Sequence, residues 1–232
     1  MYYFALLQTP ERSLTPEQGQ AEMAAYNEFH ARAASAIRAG DALAAAAEGV
    51  RISGGPDHPV VTDGPFAEGA EVAGGYYVFE ADDLDEALQL ARQVPAAGYG
   101  AVEVWPMVHW NAPEQATTCS DWLALLLEPA DQVTTPCTPE WDEGACQHAD
   151  FNAAAGFHVL GGAPLHPPTT ATTVRVRDDG VLLTDGPFAE GAEVANGFYL
   201  LRAADRDEAT KIASMIPASA IALRRLAGVA NL

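Results

Sequence analysis

The chain has 232 residues, 49% hydrophobic and 19% charged, the profile of a folded globular protein of one large or two small domains. That composition excludes collagen, coiled coil and wholesale disorder. Acidic residues outnumber basic ones 32 to 12, for a formal charge of −20, and Lys211 is the single lysine. Such a surface repels phosphate backbones and anionic lipid, and the densest cationic cluster is only Arg224-Arg225, so nucleic acid and membrane surfaces are excluded as partners.

The opening MYYFALLQTP has no basic residue before its apolar run and no small-residue cleavage site, so it does not read as a signal peptide. No apolar run approaches the ~18 residues that a membrane span requires. Cys119, Cys137 and Cys146 fit neither a redox pair nor a zinc pattern, so a reducing cytoplasm without disulfide or metal is expected.

In chain order, Tyr2 to Gln8 predicts a strand. A helix follows from Pro16-Glu17, with Tyr26, Phe29, Ala33 and Ile37 at helical spacing and a stop before Gly40. Ala44 to Ala47 reads as a polyalanine strand, with a Gly-Gly-Pro hairpin tip after it. The aromatic segment Gly75 to Glu80 predicts a further strand. The Asp83-x-x-Glu86 spacing opens a capped helix whose Leu84, Ala87, Leu88, Ala91 and Val94 form one stripe, and Ala101 to Met107 closes the set.

The chain then repeats itself. Thr62 to Ala73 reads TDGPFAEGAEVA, and Thr184 to Ala195 reads the same letters, 122 residues later. Trp122 to Leu127 copies the first strand, and a helix runs from Pro139-Glu140 to Gly156. Asp205-x-x-Glu208 caps the last helix, and Ala220 to Leu226 is the last strand. The order β-α-β-β-α-β plus a hairpin is ferredoxin-like, α+β. The expected organisation is a unit over 1–110, a linker over 111–120 tied down by Trp110, and a unit over 121–232. Packing the two sheets against each other gives an intramolecular pseudo-dimeric α+β barrel with a cavity between the sheets.

The TDGPFAE string, with LHPPTTATTVRVRDDG before it in the second copy, resembles the DGPF group of the YCII-related family over essentially the whole chain, twice. The resemblance implies ferredoxin-like domains that dimerise, here made covalent. It also implies a carboxylate and histidine pair in a cleft, relatives that look like lactone isomerases or dehydrochlorinases, and a genomic link to extracytoplasmic-function sigma factors. The matching positions are Asp63 with Gly64, Pro65 and Phe66, and Asp185 with Gly186, Pro187 and Phe188. The group's usual lysine in ETKE is replaced by Ala70 and Ala192, and the first copy has an altered approach to its hairpin.

Asp179-Gly180 reads as a two-residue hairpin turn that sets Val176 opposite Leu183 and Val174 opposite Asp185. Asp185 then emerges on an apolar face, where a carboxylate without donors has a raised pKa and suits acid–base work. The alternative is that Asp63 and Asp185 cap the Gly-Pro turn and Phe66 and Phe188 plug the core. His148 shares a helix face with Phe151 and is either a hydrogen-bonded core residue or the partner proton donor. His158 reads as part of a short strand from Phe157 to Leu160, His166 lies in the Pro-rich loop and His58 at the altered hairpin, whereas His30 and His109 read as surface or linker positions. Glu68, Glu71, Glu190 and Glu193 stand either at the mouth of a site or on a solvated loop. No cofactor is implied.

Two functions stay open beside a bare structural scaffold. One is a small-molecule site with isomerase or lyase chemistry, Asp185 and Asp63 as base or anchor, His148 as donor, and Glu190 and His166 among the binding residues. The other is a non-catalytic sensor or interaction module acting with a sigma factor. The second copy, with its regular hairpin and its histidines, is expected to carry the function, in a monomeric pseudo-dimer or a homodimer of it.

Overall fold

The computed structural model describes residues 1–64, 71–178, 180–187 and 193–229. The first repeat comprises β1 (Tyr2–Thr9), α1 (Pro16–Ala33), β2 (Ile37–Ala42), β3 (Val50–Ser53), β4 (Val60–Asp63), β5 (Val72–Glu80), α2 (Leu84–Ala91), α3 (Ala96–Tyr99) and β6 (Ala101–Pro106). The second comprises β7 (Asp121–Pro129), α4 (Pro139–Ala155), β8 (Val159–Pro164), β9 (Thr172–Arg177), β10 (Gly180–Asp185), β11 (Glu193–Arg202), α5 (Arg206–Ala213) and β12 (Ala220–Arg225).

Local chemistry sets the helix starts. The Thr15 hydroxyl accepts from the Gln18 amide at 3.3 Å while the Gln18 side chain accepts from the Thr15 amide at 2.9 Å, a reciprocal cap just ahead of Pro16. Asp83 and Asp205 each accept from the amide three residues on, at 2.9 Å. Glu86 and Glu208 reach one residue beyond the cap and accept from the Asp82 and Ala204 amides, so both repeats use the same arrangement. Helix α1 stops at Ala33, and Ile37 pairs with Phe79 as the first residue of β2, where the periodicity had kept it helical. Ala44 to Ala47 is not a strand either: Ala46–Glu48 forms a short 3₁₀ turn.

Each repeat contributes a four-stranded antiparallel core, β6-β1-β5-β2 and β12-β7-β11-β8, with the strand order of the ferredoxin-like fold. The hairpins change places. Strands β9 and β10 of the second repeat extend the first repeat's sheet beyond β6, and β3 and β4 of the first extend the second's beyond β12. Val102 faces Val174 and Glu103 faces Thr173 in one junction, and Ile221 faces Ile52 in the other. The sequence order placed each hairpin in its own unit; exchange covers the edges of β6 and β12, whose amides and carbonyls would otherwise lack partners. The β9–β10 register also differs from expectation. Gly180 pairs with Arg177, Leu183 with Val174 and Asp185 with Thr172, so Gly180 belongs to the strand rather than to the turn.

Between the sheets lies a packed apolar layer. Phe4, Tyr76 and Trp105 from one sheet meet Leu123, Phe198 and Leu200 from the other, and the Phe4 and Phe198 rings stack at 4.4 Å. This layer fills the space where the sequence placed a cavity. The outer faces are covered by helices, with Phe29, Phe79 and Leu88 on the first sheet and Phe151, Leu201 and Ile212 on the second. The architecture is therefore a pair of ferredoxin-like α+β units packed as an intramolecular pseudo-dimer. Trp110 packs against Phe198 at 5.7 Å and Asn111 bridges to Gly162, which fastens the connecting segment to the second repeat. Among the described residues no helix is long and apolar enough to cross a membrane.

Candidate functional site

Two repeat-related cavities lie between helix and sheet. The first, about 450 Å³, is lined by Leu7, Glu22, Tyr26, His30, Asp41 and Tyr77 among others. The second, about 380 Å³, is lined by Leu126, Trp141, His148, Asn152, Gly197 and Tyr199 among others. Adding the 122-residue offset converts 77 to 199, 26 to 148 and 30 to 152, so Tyr77 corresponds to Tyr199, Tyr26 to His148 and His30 to Asn152.

The two histidines are thus not equivalent positions, yet each reaches the hydroxyl of the same equivalent tyrosine. His30 Nε2 is 2.6 Å from the Tyr77 hydroxyl, and His148 Nδ1 is 3.0 Å from that of Tyr199. Positions four apart share one helix face, so an imidazole on either turn can face the strand below. Burial holds both histidines below their ordinary pKa and pushes Tyr199 up to about 12 and Tyr77 higher. At neutral pH each pair is therefore an uncharged imidazole and an uncharged phenol sharing one hydrogen bond. Such a pair can accept a proton at nitrogen or donate one from oxygen without a buried charge in the resting state.

The first cavity holds a second network. Arg12 donates twice to the Glu22 carboxylate, at 3.0 and 2.9 Å, and lies 3.6 Å over the Tyr99 ring. The Tyr99 hydroxyl donates to Glu22 at 2.6 Å and is 3.1 Å from the Tyr26 hydroxyl, and burial raises both phenols. Buried Asp41 accepts from the amides of Gly228 and Val229, each at 3.1 Å, which brings Val229 to the cavity wall.

Of the residues singled out in the sequence, His148 is in a cavity and both aspartates are elsewhere. Asp185 ends β10 on an exposed strand. Asp63 ends β4, also exposed, and pairs with Arg206 of the other repeat. Neither lines the two cavities, so the histidine and the aspartates are not brought together there. The Gly64 amide donates to Gly49 at 3.1 Å and that of Gly186 to Ala171 at 2.8 Å; Thr173 Oγ1 donates to the Gly186 carbonyl at 2.9 Å. Gly186 has φ of 88°, a value that favours glycine, and Pro187 beside it is half-buried. Pro65, Phe66, Glu68, Phe188 and Glu190 lie outside the described residues.

His166 is half-buried, with its backbone amide bonded to Pro106, and His158 Nδ1 is 2.9 Å from the Arg202 carbonyl. His58 is exposed and His109 reaches the second cavity. His30 is a cavity residue rather than a surface one. Glu71 is sheltered and Glu193 half-buried, neither lines the two cavities, and Arg175 and Arg51, both on exchanged hairpins, pair with them. The tyrosines were missed, although aligning the aromatic strands of the two repeats superposes Tyr77 on Tyr199. Among the described residues no group of three or more His, Cys, Asp or Glu side chains could hold a metal.

An uncharacterized protein of Rhizobium meliloti (strain 1021) is 36% identical over 95 residues, covering 39% of this chain and 75% of that protein. A crystal structure described as "Putative Chlorite dismutase" is similar at a TM-score of 0.44 and 6% identity, over 97% of this chain and 94% of that one. The model of the YCII-related domain matches residues 1–111 and again residues 148–226. With both repeats matched, the chain belongs to the YCII-related domain family.

Proposed function

We propose that this protein binds a small organic molecule in the helix–sheet cavities and moves a proton on it, in chemistry of the isomerase or lyase type. One observation carries the reading: two cavities of one origin keep a histidine on the same tyrosine hydroxyl although the histidine comes from different helix turns. Packing alone does not require that pairing, since phenylalanine fills nearly the same volume as tyrosine. The uncharged imidazole serves as base and the phenol as the donor that steadies developing negative charge on the substrate. Asp63 and Asp185 then stand apart from the chemistry, exposed at the ends of the exchanged hairpins.

A thermal-shift screen of small organic molecules on the full chain tests this, because a native-state ligand raises apparent stability. Hits should lose about tenfold in affinity in Tyr199→Phe or His148→Gln, or in the matching first-cavity variants. Hits that bind unchanged in all four variants would remove the reading.

A second reading is an interaction module, with an extracytoplasmic-function sigma factor as the partner that the family resemblance suggests. It is favoured by β4 and β10, which end their sheets among the described residues and expose Val60, Val61, Val181, Leu182 and Leu183. Copurification with such a factor, abolished by Leu182→Glu, would support it.

A further inference from the structure

We propose that the second cavity takes an organic ammonium ion, a small amine carrying an apolar body. This rests on the reading that the cavity is a ligand site and adds the class of ligand.

Charge is the first argument. Glu128 and Glu140 line the cavity, and its described lining holds no lysine or arginine. Glu128 is fixed in place, since its carboxylate accepts from the Ser219 amide at 2.9 Å and from the Ser219 hydroxyl. His148 adds no positive charge, because burial keeps it neutral. A carboxylate or phosphate ligand would face two acids with no lysine or arginine to offset them, whereas an ammonium meets attraction from both. The first cavity is different, as Arg12 already stands there against Glu22.

The walls supply the second argument. Trp141 and Tyr199 line the cavity, and aromatic faces attract cations through their quadrupoles while packing against an apolar body. The third is an acceptor without a donor. Asn196 lines the cavity, and its Oδ1 is buried with no hydrogen-bond partner among the described residues. A buried acceptor left unmet is costly, and an ammonium brings N–H groups that can meet it.

Calorimetry on the full chain with phenethylamine, its neutral N-acetyl derivative and 3-phenylpropanoate tests the class at nearly constant shape. The amine should bind best. Glu140→Gln and Trp141→Leu should each weaken it at least about fivefold, with thermal unfolding of the free variants close to wild type because both side chains sit at the cavity rather than in the core. Glu128→Gln serves as a further variant if its unfolding is unchanged. Tighter binding of the neutral or anionic probe, no binding of the amine, or amine binding that ignores these substitutions would overturn the proposal. Neutral or anionic binding that is lost in His148→Gln would remove the ammonium alone and leave the cavity reading standing. Absence of any binding that depends on His148 or Tyr199 would remove both.

Discussion

A buried imidazole hydrogen-bonded to a phenol is sensitive to pH in a direction that can be worked out. Both His30 and His148 have pKa values lowered by burial from the ordinary 6.5. Between the lowered value and 6.5 the unfolded chain therefore binds more protons than the folded one, so stability rises with pH. The contribution is complete above about 6.5 and lost as pH falls through that window. The net charge of −20 pulls the other way, since acidification relieves repulsion, so the useful quantity is a difference. Relative to the double variant His30→Asn, His148→Gln, the wild type should lose stability on going from pH 7.5 to 5, measured by urea unfolding at each pH. A difference that stays constant across that range would contradict the neutral-imidazole assignment. Tyr199→Phe should cost about 1 kcal/mol at pH 7 by leaving the His148 nitrogen without its partner.

Among the elements, the exchanged hairpins carry the clearest energetics. Arg175 on β9 donates to both oxygens of Glu71, at 3.0 and 2.7 Å, and to the Gly100 carbonyl at 2.8 Å, with the ion pair only 17% and 14% exposed. Arg175→Leu should cost about 1–3 kcal/mol, because it strands a sheltered carboxylate and a carbonyl. The exposed Arg32–Glu28 pair on α1 gives the control: Arg32→Ala should change stability by less than about 0.5 kcal/mol in the same urea titration. These elements also show what a sequence can reveal. The Asp83 and Asp205 caps and the stripe of α2 depend on neighbours within a few residues and were legible, as was the chain order of strands and helices. Which sheet a hairpin joins depends on which edge lies open after folding, and no local pattern encodes that choice. The site divides in the same way. His148 was legible from its helix face, but its partner Tyr199 lies 51 residues away in sequence and became visible only when strand and helix were stacked. The repeated TDGPF string carries Asp63 and Asp185, which the fold leaves exposed.

For the molecule as a whole, the packed layer between the sheets and the crossed hairpins act together. Residues 1–112 alone would expose Phe4, Tyr76 and Trp105, leave the edge of β6 bare, and send β3 and β4 out with no sheet to join. Each half expressed separately should dimerise or aggregate. Coexpressed halves should recover a one-to-one complex that elutes near the position of the intact 24.4 kDa chain in sizing experiments. A stable, soluble monomer of residues 1–112 would be incompatible with this architecture.

The exchange also bears on how the two repeats can drift apart. A substitution in β3 or β4 is felt first by the second repeat, through β12 and Arg206, and one in β9 or β10 is felt by the first, through β6 and Glu71. Neither repeat can therefore accumulate changes in its own hairpin privately. Among the described residues the helices α1 and α4 have no such strand or ion-pair tie, and on them the two cavities differ, tyrosine against histidine and histidine against asparagine. The crossed strands hold the copies to a common frame while leaving each helix free to acquire its own chemistry.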